Sequence, residues 1–180
     1  MSIKPGDRVI EFKLPSLDGG EFDLGSYRGH PFMISFFRFA SCPFCNLRIK
    51  ELIQLQVELE GRFKHVAVFE SPLSTMQKHS KRLTAPFPVL ADPKRVVYKK
   101  YGVRRSVLGM VKGMTLHSPT LIKGMLKGYL PTEISKRYLT MPANFLVDSG
   151  GVIKSTYYGN HEGDHLPLEE VNAFFLEHQK

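Results

Sequence analysis

Cysteine is scarce in this sequence, since its 180 residues include only Cys42 and Cys45. In a chain that we expect to be cytoplasmic, two cysteines are more typical of a catalytic pair than of a structural disulfide. Long apolar runs are also missing, because no segment approaches the roughly 18–20 apolar residues that a membrane span needs. Residues 1–7 have no apolar core and do not resemble a secretory signal peptide. We therefore predict a cytoplasmic protein with no membrane span.

Acidic residues are the minority, with 17 Asp and Glu against 25 Lys and Arg, and the formal net charge is +8. This surface is basic but not extreme, and we expect no nucleic-acid partner. The chain is 42% hydrophobic and is long enough for one buried core but short for two. We predict a single domain over residues 1–180, without internal repeats or low-complexity segments.

Apolar patterning predicts alternating strands and helices. Segments 9–14 and 21–24 flank turn residues and predict an N-terminal β-hairpin. The almost continuously apolar run 32–37 predicts a central strand buried on both faces, segment 63–69 predicts a second central strand, and a hairpin over 145–155 closes the sheet. The remaining predicted elements are a helix from Pro43 to a stop at Gly61, helices at 74–82, 93–101 and 167–177, and a short strand at 87–90. This order predicts an α/β three-layer sandwich on a mixed sheet.

Segment 103–140 departs from this alternation. It is rich in Gly, Lys and Arg, and Glu133 is its only acid. Each glycine weakens a long helix by about 1 kcal/mol relative to alanine. We predict an insertion of short helices and loops beside the site. A lid or a subunit contact is favoured over a role at membranes or nucleic acids, and a homodimer is left open.

The cysteines form the motif Cys42-Pro43-Phe44-Cys45, where a strand pattern gives way to a helix pattern with polar residues such as Arg48 between the apolar ones. With Cys42 as N-cap and Pro43 in the first turn, the unpaired amides and the positive helix end favour a thiolate at Cys42. Cys45, one turn later and expected to be more buried, would resolve a mixed disulfide. Arg38 either adds positive charge or points to solvent. The alternative is a pair of structural thiols packed as small hydrophobic groups.

A second motif, His161-Glu162-Gly163-Asp164-His165, matches H-E-x-x-H. That zinc motif requires a helix to bring both histidines to one face. Gly163 and Asp164 instead predict a loop before the last helix. A structural zinc site that combines the two cysteines with the two histidines would need distant segments to converge. We expect no metal and no cofactor.

Several segments resemble, in order, the peroxiredoxin-like branch of the thioredoxin superfamily, the alkyl hydroperoxide reductase and thiol-specific antioxidant family. The segments that carry the resemblance are 4–7, 14–19, the motif at 42–45, 87–93, 101–103 and 141–148. The resemblance leaves out the 103–140 insertion. It implies a thioredoxin-like three-layer sandwich with a mixed central sheet, an N-terminal β-hairpin and a helical insertion.

The resemblance also implies roles for particular residues. Cys42 matches the peroxidatic position. Pro142 would adopt the cis form and pack against the disulfide site, and the exposed backbone of Met141 would pair with substrate. With Arg38 and Phe44, these are the expected substrate-binding residues. The alternative for Pro142 is a trans proline at the start of a strand.

The sequence departs from the peroxidase pattern at three places. Ser35 and Phe39 stand where the family usually has Pro and Thr, and Pro142 stands where it has an arginine. A phenyl ring cannot donate the hydrogen bond of a threonine hydroxyl. We therefore favour a thiol-disulfide oxidoreductase restored by a thioredoxin- or glutathione-type reductant. The alternatives are an antioxidant two-cysteine thiol peroxidase that acts on hydrogen peroxide or organic hydroperoxides, and a non-catalytic redox sensor or binding module.

Overall fold

The computed structural model describes residues 2–60, 62, 64–116, 122–123, 125–128 and 136–178. The strands are β1 Lys13–Pro15, β2 Glu21–Asp23, β3 Phe32–Phe36, β4 Lys64–Phe69, β5 Val89–Ala91, β6 Ala143–Val147 and β7 Ile153–Tyr158. The α-helices are α1 Pro43–Glu58, α2 Leu73–Lys78, α3 Ser80–Leu83, α4 Val96–Lys100, α5 Val107–Leu116 and α6 Leu168–Glu177. Short 3-10 helices occupy Leu24–Tyr27 and Lys136–Leu139.

The central sheet has the strand order β5-β4-β3-β6-β7, and β1 and β2 form a separate antiparallel hairpin. β3, β4 and β5 run parallel to one another, whereas β6 is antiparallel to β3 and to β7. α1 makes the crossover between β3 and β4, as parallel neighbours require. The predicted mixed sheet and the N-terminal hairpin are confirmed.

β3 is the central strand, and all five of its residues are buried. Its side chains alternate between two hydrophobic clusters because successive strand residues point to opposite faces. Met33 lies in the cluster with Leu52 of α1 and Phe175 of α6, and Ile34 lies in the cluster with Tyr98 of α4. Helices therefore cover both faces of the sheet, which is the predicted three-layer arrangement.

Some predicted boundaries are wrong for local reasons. β1 begins only at Lys13, because the backbone before it pairs elsewhere, with the Val9 N–H donating to the Gly151 carbonyl at 2.9 Å. The helix predicted at 74–82 is divided at His79. The helix predicted at 93–101 begins at Val96, where the Asp92 carboxylate accepts the first free N–H groups.

α1 ends at Glu58, earlier than predicted, and the predicted stop at Gly61 lies outside the described residues. Arg48 was placed among the polar positions of this helix, but it is buried. Its guanidinium donates to the Leu166 carbonyl and pairs with Glu51 at 3.1 Å. These contacts hold the Arg48 side chain against the segment that precedes α6.

The insertion contains α5 and the 3-10 helix Lys136–Leu139, and much of the segment between them lies outside the described residues. Its two ends meet in a β-bridge between Arg105 and Thr140. Beneath the bridge, the buried Glu70 carboxylate accepts from Arg105 and Thr140, and it pairs with Arg95 at 2.7 Å. Within the described ranges, no helix is both long and apolar enough to cross a membrane.

Candidate active site

The two cysteines lie where the loop after β3 enters α1. Cys42 is the N-cap residue with extended backbone angles, φ −65° and ψ 121°, and Pro43 is the first helical residue. The Asn46 N–H donates to the Cys42 carbonyl at 3.0 Å, which is the first hydrogen bond of the helix. Proline fits here because its missing N–H would have no partner in the first turn. The predicted helix start is confirmed.

Both cysteines are free thiols, and both are 0% exposed. The expectation that Cys45 is more buried than Cys42 is therefore wrong, because the loop after β3 covers the helix start. The Cys42 sulfur accepts from Nη1 of Arg38 at 3.5 Å, and the Cys45 sulfur accepts from the Arg38 backbone N–H at 3.5 Å. One arginine thus contacts both sulfurs, through two different groups.

The two thiols differ strongly in acidity. Burial raises the pKa of Cys42, but hydrogen bonds from Cys45 and the charge of Arg38 outweigh it and lower the pKa to about 7. Burial raises the pKa of Cys45 well above its usual range, and the neighbouring Cys42 sulfur adds to this. Because the thiolate is the nucleophile in thiol chemistry, this difference in acidity agrees with the predicted roles of Cys42 and Cys45, which stay predictions.

Arg38 points inward and is only 3% exposed, so the alternative in which it points to solvent is excluded. Its Nη2 donates to the carbonyl of Tyr138, at the end of the insertion. Its guanidinium lies 5.2 Å from the centre of the Phe39 ring and 5.9 Å from that of Tyr138, within the range of cation–π contacts. Sequence reasoning missed Tyr138, because nothing local connects residue 138 to a site formed 100 residues earlier.

Asn46 is a second residue that sequence reasoning missed. Its side-chain amide is buried and donates to the carbonyls of Ala40, at 2.9 Å, and Cys42, at 2.8 Å. These bonds tie the loop after β3 to the first turn of α1. A polar residue four positions after the first cysteine was the available signal, because side chains at i and i+4 share one helix face.

Phe44 lies between the two cysteines and is 5% exposed. Its ring packs against Gly163, where an added Cβ would lie 2.8 Å from the ring atom Cδ1. Only glycine leaves room for this contact. The predicted role of Phe44 in substrate binding stays a prediction, and direct contact would require the loop around Gly163 to move.

Met141 and Pro142 differ from the expectation. Every peptide bond in the described residues is trans, so Pro142 is a trans proline directly before β6, in the more stable state of an X–Pro bond. The backbone N–H of Met141 is not open to substrate, because it donates to the Arg104 carbonyl at 3.0 Å. The start of the insertion thus pairs with this segment and satisfies its buried amide.

Ser35 and Phe39, which replace the family's Pro and Thr, are both buried. The Ser35 hydroxyl accepts from the Asn144 side chain at 2.9 Å and lies 2.9 Å from Nε2 of His65. The ring of Phe39 packs against that of Tyr138 in a tilted arrangement, with centroids 4.6 Å apart and an interplanar angle of 45°. Ser35 thus makes polar contacts between neighbouring strands, and Phe39 packs beside the Arg38 guanidinium.

The His161–His165 motif lies in the loop between β7 and α6, as predicted, and therefore lacks the helical geometry of a zinc site. His165 is buried with its ring 5.3 Å from that of Phe37, and burial lowers its pKa well below the usual range. Across the described ranges, no group of three or more His, Cys, Asp or Glu side chains is placed to hold a metal ion.

Comparison with known proteins gives the family and the fold. A family model described as the AhpC/TSA family matches residues 5–156. A Mycobacterium tuberculosis protein named as a peroxiredoxin is 31% identical over 106 residues, which cover 56% of this chain and 64% of that protein. The match thus spans less than two thirds of the relative's length.

Solved structures with little sequence identity have the same fold. A thiol:disulfide interchange protein, DsbE, from Chlorobium tepidum superposes with a TM-score of 0.67 at 19% identity, covering 99% of this chain and 100% of the other. A peroxiredoxin-like protein from Aquifex aeolicus gives a TM-score of 0.71 at 17% identity, covering 98% and 88%. The thioredoxin-like fold expected from the resemblance is confirmed.

Proposed function

This chain belongs to the AhpC/TSA family, and from that membership we propose that it is a thiol-disulfide oxidoreductase using Cys42 and Cys45. The observation that carries the proposal is the unequal environment of the two sulfurs. Arg38 Nη1 lies 3.5 Å from the Cys42 sulfur, which sits at the positive end of α1. Cys45 is buried one turn further along and stays protonated.

The first step is attack of the Cys42 thiolate on a substrate disulfide. A bond forms between the Cys42 sulfur and one substrate sulfur, the substrate S–S bond breaks, and the second substrate sulfur leaves as a thiolate that takes a proton from water. Cys42 loses its negative charge when its sulfur forms the mixed disulfide. Since that charge is one of the causes that raise the pKa of Cys45, its loss makes Cys45 easier to deprotonate.

In the second step, Cys45 loses its proton and attacks the Cys42 sulfur. The mixed disulfide breaks, the remaining substrate half leaves as a thiol, and Cys42 and Cys45 are joined. Over the two steps the substrate has gained two electrons from the protein and two protons, one from water and one from Cys45. A thioredoxin- or glutathione-type thiol returns them, and we propose that this cycle takes place in the cytoplasm.

Access to Cys42 requires movement, because its sulfur is fully buried. The groups over it are the Arg38 guanidinium and the Tyr138 carbonyl that holds it. Displacement of the 3-10 helix Lys136–Leu139 would uncover the sulfur. This supports the expectation that the insertion acts as a lid. A homodimer stays a prediction.

The second candidate function is a two-cysteine peroxidase, which the similarity to a peroxiredoxin-named relative favours. Single-turnover oxidation of the reduced protein separates the two functions. The oxidants are compared side by side and are hydrogen peroxide, an organic hydroperoxide and small disulfides. We expect the disulfides to react faster, after normalisation to their reaction with a free thiolate of similar pKa. Faster oxidation by either peroxide would replace the proposal with the peroxidase. Stoichiometric oxidation without turnover in the presence of a thiol reductant would indicate a redox sensor.

A further inference from the structure

A cavity of 330 Å³ lies between the start of α5, the Met141 segment and the loop after β7. Three cationic side chains line it, those of Arg104, Arg105 and Lys112, together with Met141 and Asn160. In the described part of the chain, no acidic side chain is among the lining residues. Its volume is in the range of small-molecule sites.

The cavity opens at the end of the central sheet where β3 leads into the loop to Cys42. Phe36 at the end of β3 pairs with Ala143 at the start of β6, and Ala143 pairs with Tyr158 at the end of β7. The loop to Cys42, the Met141 segment and the loop after β7 therefore leave neighbouring strands at one edge, where adjacent strands are about 4.8 Å apart. The cavity and the loop to Cys42 therefore lie at the same end of the central sheet.

The cavity walls are in direct contact. An added Cβ at Gly109 in α5 would lie 2.6 Å from the sulfur of Met141 and 2.6 Å from the Asn160 carbonyl. No side chain larger than that of glycine fits there without a shift. α5 is therefore seated on the other two walls, which sets the backbone position of Lys112 relative to them.

Among the described residues, the cations that line the cavity outnumber the acidic side chains that line it. The Glu70 carboxylate is shared between Arg105 and Arg95, so it balances only one of these two cations. Arg104 and Lys112 add two further cations with exposed side chains. Asp164, in the neighbouring loop, is bound by the Tyr157 hydroxyl at 2.5 Å and the Asn160 N–H at 2.7 Å.

We propose that this cavity binds a carboxylate of the substrate, which makes small anionic disulfides the preferred substrate class. The inference rests on the proposed function. The reaction is the one described above: reduced protein and one disulfide give protein disulfide and two small thiols, with two electrons and two protons passing to the substrate. Arg104 and Lys112 act on binding and take no part in the bond changes.

The test compares disulfides of different charge in single turnover with reduced protein. The probes are oxidised glutathione, which is net anionic at neutral pH, uncharged bis(2-hydroxyethyl) disulfide, and cationic cystamine. Each second-order rate constant is divided by that for the same disulfide with a free thiolate. We expect oxidised glutathione to exceed the uncharged probe by about fivefold or more, cystamine to be slowest, and the difference to shrink with added salt.

Arg104→Gln and Lys112→Gln should each slow oxidised glutathione by about threefold to fivefold and leave the uncharged probe unchanged. Lys154→Gln is the matched control, because it removes the same charge at the far end of β7, where Lys154 lies 3.7 Å from Asp148. The inference is overturned if Arg104→Gln and Lys112→Gln slow oxidised glutathione no more than Lys154→Gln does.

A binding measurement separates this inference from the proposed function. S-methylglutathione carries the same carboxylates and cannot be reduced, so its affinity for the Cys42→Ser protein is measured by calorimetry. Binding that Arg104→Gln weakens by about threefold or more, and Lys154→Gln does not, supports the cavity even if no disulfide is turned over. Binding indifferent to Arg104→Gln overturns the inference and leaves the redox proposal standing.

Discussion

The Nη1 nitrogen of Arg38 lies 3.5 Å from the sulfur of Cys42. The same guanidinium donates through Nη2 to the Tyr138 carbonyl, at the end of the insertion. Arg38 therefore links the acidity of the Cys42 thiol to the position of a segment about one hundred residues away in sequence. A movement that separates Arg38 from Tyr138 would remove one of the contacts that hold the guanidinium beside the Cys42 sulfur.

Arg38→Met should raise the pKa of Cys42 from about 7 towards its ordinary value, because the positive charge beside the thiolate is lost. The thiolate fraction at neutral pH, and with it the rate of disulfide attack, should fall about tenfold, and the loss should diminish above about pH 9. Thiolate absorbance in the ultraviolet, followed against pH, gives the pKa directly. Arg62→Met, beyond the other end of α1, should leave the titration unchanged. A midpoint that does not move would show that Arg38 does not stabilise the thiolate.

Glu70→Gln should destabilise the protein by about 3 kcal/mol or more, because it leaves two guanidinium groups without their buried carboxylate. Glu70 is 2% exposed and pairs with Arg95 at 2.7 Å. Urea unfolding measures the loss. The exposed Glu60→Gln, whose pair with Arg62 is long at 3.4 Å, is the matched control and should change little. Equal unfolding midpoints for the two variants would mean that the Glu70 cluster does not hold the insertion in place.

Tyr98→Phe should cost about 1–3 kcal/mol, because it removes a buried donor that serves two carbonyls. The Tyr98 hydroxyl lies 2.6 Å from the Phe37 carbonyl and 2.8 Å from that of Val68. Phe37 directly precedes Arg38, so the variant should also slow disulfide attack. The control is Tyr27→Phe, since the Tyr27 hydroxyl is 3.4 Å from its acceptor and only part-buried. A Tyr98→Phe protein as stable as Tyr27→Phe would contradict this account.

Stability should fall as the pH drops below about 6.5, because two histidines are buried in the neutral form. Burial lowers the pKa of His65 to about 3 and that of His165 well below its usual range. Below the unfolded pKa, the unfolded state binds protons that the folded state does not, at up to about 1.4 kcal/mol per pH unit for each histidine. Urea unfolding at about pH 7.5 and about pH 5.5 measures the loss. His165→Leu should reduce the pH dependence by about half between those values, and an unchanged dependence would contradict the assignment.

The fold was predictable because its central strands are mostly apolar and its first long helix begins at a proline. The runs at 32–37 and 63–69 became β3 and β4, and Pro43 begins α1 as expected. Element ends were less predictable, because they depend on partners distant in sequence. β1 is short because the backbone at Val9 pairs with Gly151 instead of with β2.

The site was predictable only as far as its local motif. Cys42 as helix cap and Cys45 one turn later follow from spacing and helix geometry. The sequence did not predict the trans bond before Pro142 or the hydrogen bond from the Met141 amide to Arg104. The insertion that supplies Arg104 has no counterpart in the family resemblance. Tyr138 could not be inferred for the same reason.

The central claim is that Cys42 attacks and Cys45 resolves, and substitution of each cysteine tests it most directly. Reduced Cys42→Ser and Cys45→Ser proteins are mixed with oxidised glutathione or bis(2-hydroxyethyl) disulfide, and the products are read by intact-protein mass spectrometry. We predict no adduct with Cys42→Ser and a stable mixed disulfide on Cys42 with Cys45→Ser, whereas the wild-type protein forms its internal disulfide. An adduct on Cys45 in the Cys42→Ser protein at the rate of wild-type oxidation would contradict the account.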